Sequence, residues 1–235
     1  PEWFSNNMDI TEKQASGLVP AINGLHIAKV VQIGGDEKEG DYRVKVKIPF
    51  LAQDGGTDAD GVWARMSNVF AGDNRGMVFR PEIDDEVIIG FINEDPRQPI
   101  VLGALHSSSY PAPIEATDDN QEKGIYSRGE MRFVFHDEDK TITISTKNGN
   151  SVLLSEKDGG ITITDENSNT INLNSDGITI ESSRDLVLKA TGDVKIEGMN
   201  IEQTAQANLK ASGSAGTEIS ASGNTVIKGA VVQIN

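Results

Sequence analysis

The second half of the chain repeats a pair of side chains at positions i and i+2 at a short, regular interval. From Ile178 onward the pairs begin at residues 178, 186, 194, 201, 209, 217, 225 and 232, so each step is seven or eight residues. Most members are Ile, Leu or Val. Such a repeat predicts short β-segments that place two apolar side chains on one face and are separated by tight turns.

The same signature begins earlier with a longer step. Five preceding pairs are nine or ten residues apart: Phe133/Phe135, Ile142/Ile144, Val152/Leu154, Ile161/Ile163 and Ile171/Leu173. Turn-forming residues such as Asn148-Gly149 and Asp158-Gly159-Gly160 fill the intervals. The repeat therefore covers residues 130–235 and predicts a continuous β-structure.

An interval of eight residues constrains how many chains must take part. Eight extended residues span at most about 28 Å, too little for one chain to build a three-sided turn with a filled interior. Each short repeat also leaves an apolar stripe and unpaired strand edges. Three chains wound about one axis bury the stripes and pair the edges. We therefore predict that residues 130–235 form an intertwined, triple-stranded β-helix, a homotrimeric prism.

The repeat also identifies the side chains that are expected to meet at the axis of this trimer. They are Ile178, Ile180, Leu186, Leu188, Val194, Ile196, Ile201, Leu209, Ile219, Ile227, Val232 and Ile234. The small, polar stretch 203–224 is also compatible with a flexible tail. Because clear repeats flank it, a narrower prism cross-section is the favoured interpretation.

The first half of the chain has a different composition and predicts a different architecture. Nothing after Phe135 is aromatic, whereas the front contains residues such as Trp63, Phe70 and Phe91, which favour a conventional core. Five strand-like runs, with no helical period between them, predict a small closed barrel of the OB type. The expected organisation is a joint at 1–24, a barrel at 25–110, a neck at 111–129 and a needle at 130–235.

Several motifs in this front part resemble a known family. Gly61–Arg65 (GVWAR), Arg75–Glu82 (RGMVFRPE) and Asp95–Leu105 (DPRQPIVLGAL) are similar to the OB domain of VgrG spikes of type VI secretion systems. Related spikes occur in phage baseplates and extracellular contractile injection particles. The ending Lys228–Asn235 (KGAVVQIN) also resembles VgrG needles, so the similarity covers residues 25–235.

This resemblance implies an all-β, non-enzymatic, membrane-puncturing spike that needs no cofactor or metal. Its implied partners are two further copies of itself, hub, baseplate and Hcp-like inner-tube proteins on the amino-terminal side, and transiently the target membrane. A hub domain is expected to precede Pro1. The spike would assemble in the bacterial cytoplasm into an injection particle that is then secreted or extracellular. Which contractile system it serves, and with what cargo, the residues do not indicate.

The end of the chain departs from one branch of that family. Self-capping phage spikes end in a His-x-His iron motif, whereas the last histidine here is His136. The resemblance therefore implies a separate PAAR-repeat tip protein. We expect it to dock on the last five residues, Val231, Val232, Gln233, Ile234 and Asn235.

Other functional classes find less support in the residues. The acidic loop with Asp54, Asp58 and Asp60 misses the spacing of an EF-hand. The carboxylates between Glu82 and Glu86 are interpreted as an ordinary barrel turn, and the three histidines are isolated. A nucleic-acid-binding OB module needs a basic groove, but 36 acidic against 21 basic residues argue against one. A tail fibre or adhesin remains the structural alternative.

The predicted axis can be tested with neighbouring substitutions. Ile196→Asp would bring three carboxylates together at one layer, at a cost of several kcal/mol for each unpaired buried charge. Lys195→Asp, on the outward face, is expected to be nearly silent. Thermal unfolding of both variants measures the difference, and equal destabilisation would show that the inward and outward assignments are wrong.

Overall fold

The computed structural model describes residues 21–35, 42–49 and 61–233. Its first part is a closed barrel of five strands in the order β1-β2-β3-β7-β6. Strands β3 and β7 run parallel, and all other neighbours in the ring are antiparallel. A small hairpin, β4–β5, lies between β3 and β6 in the sequence. The strands of this part are β1 (His26–Gln32), β2 (Arg43–Lys47), β3 (Val62–Met66), β4 (Ala71–Gly72), β5 (Arg75–Gly76), β6 (Glu86–Phe91) and β7 (Pro99–Leu105).

The barrel confirms the all-β, OB-type prediction, but its core is not aromatic as the composition suggested. Alternating residues of the strands point inward, as the period of two requires. A ring of five strands encloses too little space for aromatic rings, and Phe91 packs only at the margin. The fully enclosed side chains are all aliphatic: Ala28, Val30, Val44, Val46, Ile48, Ala64, Val87, Ile89 and Val101.

The residue directly before β3 is a glycine, Gly61, and it lies close to the backbone of β2. Gly61 has φ of +94°, and a Cβ there would lie 2.6 Å from the carbonyl oxygen of Val46. Any other residue would have to displace the backbone of β2, which is hydrogen-bonded into the ring. The glycine of the GVWAR motif is therefore explained by close strand contact.

The loop between β6 and β7 is held by a buried carboxylate. Asp95, only 4% exposed, follows a short 3-10 turn at Ile92–Glu94. Its Oδ1 accepts from the Nε and the backbone N–H of Arg97, both at 3.0 Å, and its Oδ2 accepts from a terminal guanidinium nitrogen at 2.8 Å. These hydrogen bonds lower the pKa of Asp95 to about 2.

A seven-stranded antiparallel sheet follows the barrel in the sequence. Its strands pair in chain order, each with the next, so it is a meander closed by six hairpin turns. Its first strand lies inside the segment predicted as a neck. The strands are β8 (Glu122–Tyr126), β9 (Arg132–His136), β10 (Thr141–Ser145), β11 (Ser151–Ser155), β12 (Gly160–Thr164), β13 (Thr170–Asn174) and β14 (Gly177–Glu181).

The two parts of the repeat thus differ in this chain. The pairs with a nine- or ten-residue step form hydrogen-bonded hairpins within one chain, because that step leaves five residues for a strand and the rest for a turn. Each turn contains a residue with positive φ: Glu130, Lys140, Gly149, Gly159, Ser168 and Gly177. The turn before β13 is further fixed by Asp165, which accepts from the backbone N–H of Asn169 at 2.8 Å.

The second compact unit comprises residues 182–235 and differs from the first in its secondary structure. Its described residues, 182–233, contain no strand or helix. From residue 183 to 233 every residue is exposed. Among all the described residues, no helix is long and apolar enough to cross a membrane.

The Asp95 site predicts a defined pH dependence. Its pKa of about 2 lies below the ordinary 3.8, so its contribution to stability is present above pH 4 and is lost as the pH falls toward 2. Asp95→Asn should lower the melting temperature at pH 6, and the gap to the unaltered chain should close by pH 2. Trp63 fluorescence in a Trp3→Phe background reports on the barrel, since the chain has two tryptophans. A gap that stays constant with pH would contradict the assignment.

Candidate assembly interface

The meander carries two rows of apolar side chains on one face, which we term the apolar face. Cross-strand partners place the two members of every predicted pair in register with those of the neighbouring strands. The first row is Ile125, Phe133, Ile144, Val152, Ile163, Ile171 and Ile180. The second row is Lys123, Phe135, Ile142, Leu154, Ile161, Leu173 and Ile178. The i/i+2 signature of the sequence therefore becomes one continuous surface.

No side chain of the apolar face is buried within the chain. Ile144 is 51% exposed, Ile163 40% and Ile178 70%, whereas the side chains of the barrel core are at most 3% exposed. Phe133 and Phe135 contact each other edge to face, with 4.8 Å between the ring centroids. Soluble monomers rarely leave a contiguous apolar surface of this extent in water. The face is thus a candidate interface.

The opposite face of the meander is mostly polar, although Val134 and Leu153 also lie on it. It carries alternating residues such as Thr143, Thr162, Asn172 and Thr179. At its first strand the Tyr126 hydroxyl donates to Glu122 at 2.5 Å. Burial and this neighbouring carboxylate raise the pKa of Tyr126 to about 12.

Ion pairs join the turns along the edges of the meander. Lys157 contacts Asp139 at 2.8 Å, and this pair lowers the pKa of the Asp139 carboxyl. Lys140 similarly contacts Glu156 at 3.4 Å. Exposed pairs of this kind contribute little to stability, so they align the hairpins rather than hold the sheet together.

The predicted axis residues share one property in the single chain: they are exposed. Ile178 and Ile180 lie on the apolar face of β14. The others that the structure describes, Leu186, Leu188, Val194, Ile196, Ile201, Leu209, Ile219, Ile227 and Val232, lie in the second unit and are between 51% and 76% exposed. Of the predicted tip-docking residues, Val231, Val232 and Gln233 are exposed, and Ile234 and Asn235 lie outside the described residues.

The solvent-accessible surface of the chain is large for its mass. The chain exposes 19581 Å². A folded monomer of 25.2 kDa is expected to expose about 10,300 Å². The chain thus exposes about twice the surface expected of a compact monomer of its mass.

Two of the histidines considered for chemistry make contacts within the fold. Among the described residues, no group of three or more His, Asp or Glu side chains is arranged to hold a metal. His26 contacts Phe91 edge to face, and His136 accepts from the backbone N–H of Asp139. Asp54, Asp58 and Asp60 lie outside the described residues.

The sequence interpretation missed one surface feature, a cluster of exposed apolar side chains around the β4–β5 hairpin. Phe70, Met77 and Phe79 are between 44% and 59% exposed. These residues lie outside the i/i+2 repeat, and their spacing matches neither a strand nor a helix period. Their only signal was an apolar residue on each side of the turn Asp73-Asn74.

Comparison with known proteins agrees with this architecture. Residues 26–106 match the type VI secretion system/phage-baseplate injector OB domain. The chain is 33% identical to the type VI secretion system spike protein VgrG1a of Pseudomonas aeruginosa over 112 residues, 47% of this chain and 17% of that protein. It is 34% identical to the spike protein VgrG3 of Vibrio cholerae over 101 residues, 42% of this chain and 10% of that protein.

A third relative carries a different name. The actin cross-linking toxin VgrG1 of Vibrio cholerae is 37% identical over 95 residues, 39% of this chain and 9% of that protein. The barrel defines this chain as an injector OB-domain protein. Residues 26–106 belong to the family of type VI secretion system/phage-baseplate injector OB domains, and the chain is similar to VgrG spike proteins over the segments given above. The matched segments cover less than a fifth of the length of each of these relatives.

Proposed function

We propose that this protein is the structural spike of a contractile injection machine and works as a homotrimer. The observation that carries the proposal is the apolar face, whose two rows of side chains have no partner in the chain. Three copies placed about one axis would turn the three apolar faces toward each other. The opposite faces would remain in water, which matches their mostly polar side chains, with Val134 and Leu153 as apolar exceptions.

The second unit continues this arrangement in the proposal. Its repeat tightens to seven or eight residues, and its described residues form no strand. Backbone N–H and C=O groups have to be paired once the neighbouring side chains are buried. Strands from the other two copies would supply these bonds, giving an intertwined β-helix after Glu181. The joint at 1–24, the barrel at 25–110, the neck at 111–129 and the needle at 130–235 are the proposed divisions.

The role we infer is mechanical and not catalytic. A contracting sheath would drive the spike on the end of an inner tube into a target membrane, and the trimer would resist unfolding under that load. Hub, baseplate and Hcp-like tube proteins would contact the amino-terminal side, without nucleic acid. Assembly in the bacterial cytoplasm would precede secretion of the particle. Support comes from the family of the barrel and from the VgrG relatives.

The trimer is tested by a matched pair of substitutions on β14. Ile180 lies on the apolar face and Thr179 on the opposite face, and both are exposed in the single chain. Light scattering should give three times 25.2 kDa for the unaltered chain and for Thr179→Asp. Ile180→Asp should dissociate the trimer or lower its melting temperature, because three carboxylates would meet in an apolar interior. A folded, monodisperse monomer of the unaltered chain at micromolar concentration would refute the proposal.

We further propose that the last residues bind a PAAR-type tip protein. Val231 is 85% exposed and Val232 51%, and exposed strand edges beside apolar side chains favour a covering partner. Deleting 231–235 should leave the trimer intact but abolish co-purification with a cognate tip. Replacing the outward Lys228 by Ser serves as the control and should retain the tip. Full-strength binding by the truncated trimer would place docking elsewhere.

A further inference from the structure

The exposed apolar cluster of the barrel surrounds a groove with a volume of about 310 Å³. Its walls include Phe70, Met77 and Phe79, from the two sides of the β4–β5 hairpin. Gly76, with φ of +147°, closes the hairpin, and a Cβ there would lie 2.6 Å from the carbonyl oxygen of Phe70. The groove is therefore built by a tight backbone approach and is not a chance depression between long side chains.

Three arginines line the same groove. Arg65, Arg75 and Arg80 are exposed, and within the described part of the chain none of them forms an ion pair with a carboxylate. They stand in a chain whose net charge is −15. Arginine, aromatic rings and methionine together are the composition enriched at the centre of protein interfaces. The groove fits a protein segment with an apolar anchor and flanking carboxylates.

The barrel itself presents such a segment. Ile83 is 57% exposed at the tip of the turn before β6, between Glu82 and Asp84. The backbone of this turn is fixed to β1, since Asp84 N–H donates to the Val30 carbonyl at 2.9 Å and Val30 N–H to the Asp85 carbonyl at 3.0 Å. Its carboxylates form surface pairs with Lys29 and Arg128, which remain largely exposed. Such pairs cost little to rearrange.

The groove and the acidic turn follow each other closely in the sequence, since Arg80 of the groove lies two residues before Glu82, but they attach to different strands of the barrel. In the ring β1-β2-β3-β7-β6, the turn is attached at the junction of β1 and β6. The groove is attached at β3, which is separated from β1 by β2 and from β6 by β7. A threefold ring needs contacts in which one surface of a copy meets a different surface of the next. The barrel has two complementary surfaces placed for this.

We propose that, in the trimer, the groove of each barrel holds the acidic turn of the neighbouring copy. Ile83 enters between Phe70, Met77 and Phe79, and the carboxylates of Glu82 and Asp84 face Arg75 and Arg80. The inference rests on the proposed trimer and names a second trimer contact, independent of the apolar face of the meander. It gives each barrel a fixed neighbour in the trimer.

The absence of cysteine from the chain allows a direct test by cross-linking. Full-length chains carrying Arg75→Cys and chains carrying Asp84→Cys are co-expressed with different tags and treated with a bismaleimide. The expected result is a covalent heterodimer formed only between the two tagged chains. Ser175→Cys, on an exposed turn of the meander, replaces Arg75→Cys in the control and should not cross-link to Asp84→Cys. Adding Ile83→Asp to the Asp84→Cys chain should lower the yield about tenfold, through loss of the buried anchor.

Light scattering on the same samples separates the two proposals. A trimer that does not cross-link overturns the groove contact and leaves the proposed function standing. A monomer overturns both. Cross-linking of Arg75→Cys to Glu2→Cys in place of Asp84→Cys would assign the groove to the beginning of the chain, and equal yield with Ser175→Cys would show that the reaction is unspecific. Each of these two results also overturns the contact.

Discussion

The structure depends on one constraint: a β-sheet with one apolar face has to bury that face against something. In the barrel the sheet closes on itself, so nine aliphatic side chains are enclosed without any partner. In the meander the sheet stays open, and the two rows of apolar side chains remain in water. The same alternation of apolar and polar residues therefore has two outcomes: the barrel buries its apolar side chains within the chain, and the meander leaves its apolar face exposed in the single chain.

The sequence predicted the features that follow from periodicity. The alternation in Tyr42–Ile48 and similar runs predicted the barrel, and the i/i+2 pairs predicted which side chains share a face. The sequence did not predict that the pairs with the longer step would form hairpins within one chain. The period of the side chains shows which residues share a face, but it does not show which chain supplies the neighbouring strand. β8 was missed because its apolar residues, Ile125 and Tyr126, are adjacent and so show no alternation.

The groove shows a second limit of prediction from sequence. Phe70 and Phe79 are nine residues apart and belong to no common element, so only the fold of the hairpin brings them together. The average charge was also misleading as a guide to local surfaces. Carboxylates outnumber basic residues in the chain as a whole, but Arg65, Arg75 and Arg80 line one groove. Charge segregation is a property of the fold and cannot be obtained by counting residues.

The pairing of the meander within a single chain has a consequence for the order of events during folding. Hairpins between consecutive strands close short loops, which takes microseconds and no second molecule. Residues 183–233 form no hairpin of this kind in the structure, so in a trimer their ordering would depend on concentration and on the arrival of two more copies. Folding of the spike would then start at the barrel and proceed in one direction toward Asn235. Synthesis from the amino terminus delivers the segments in that same order.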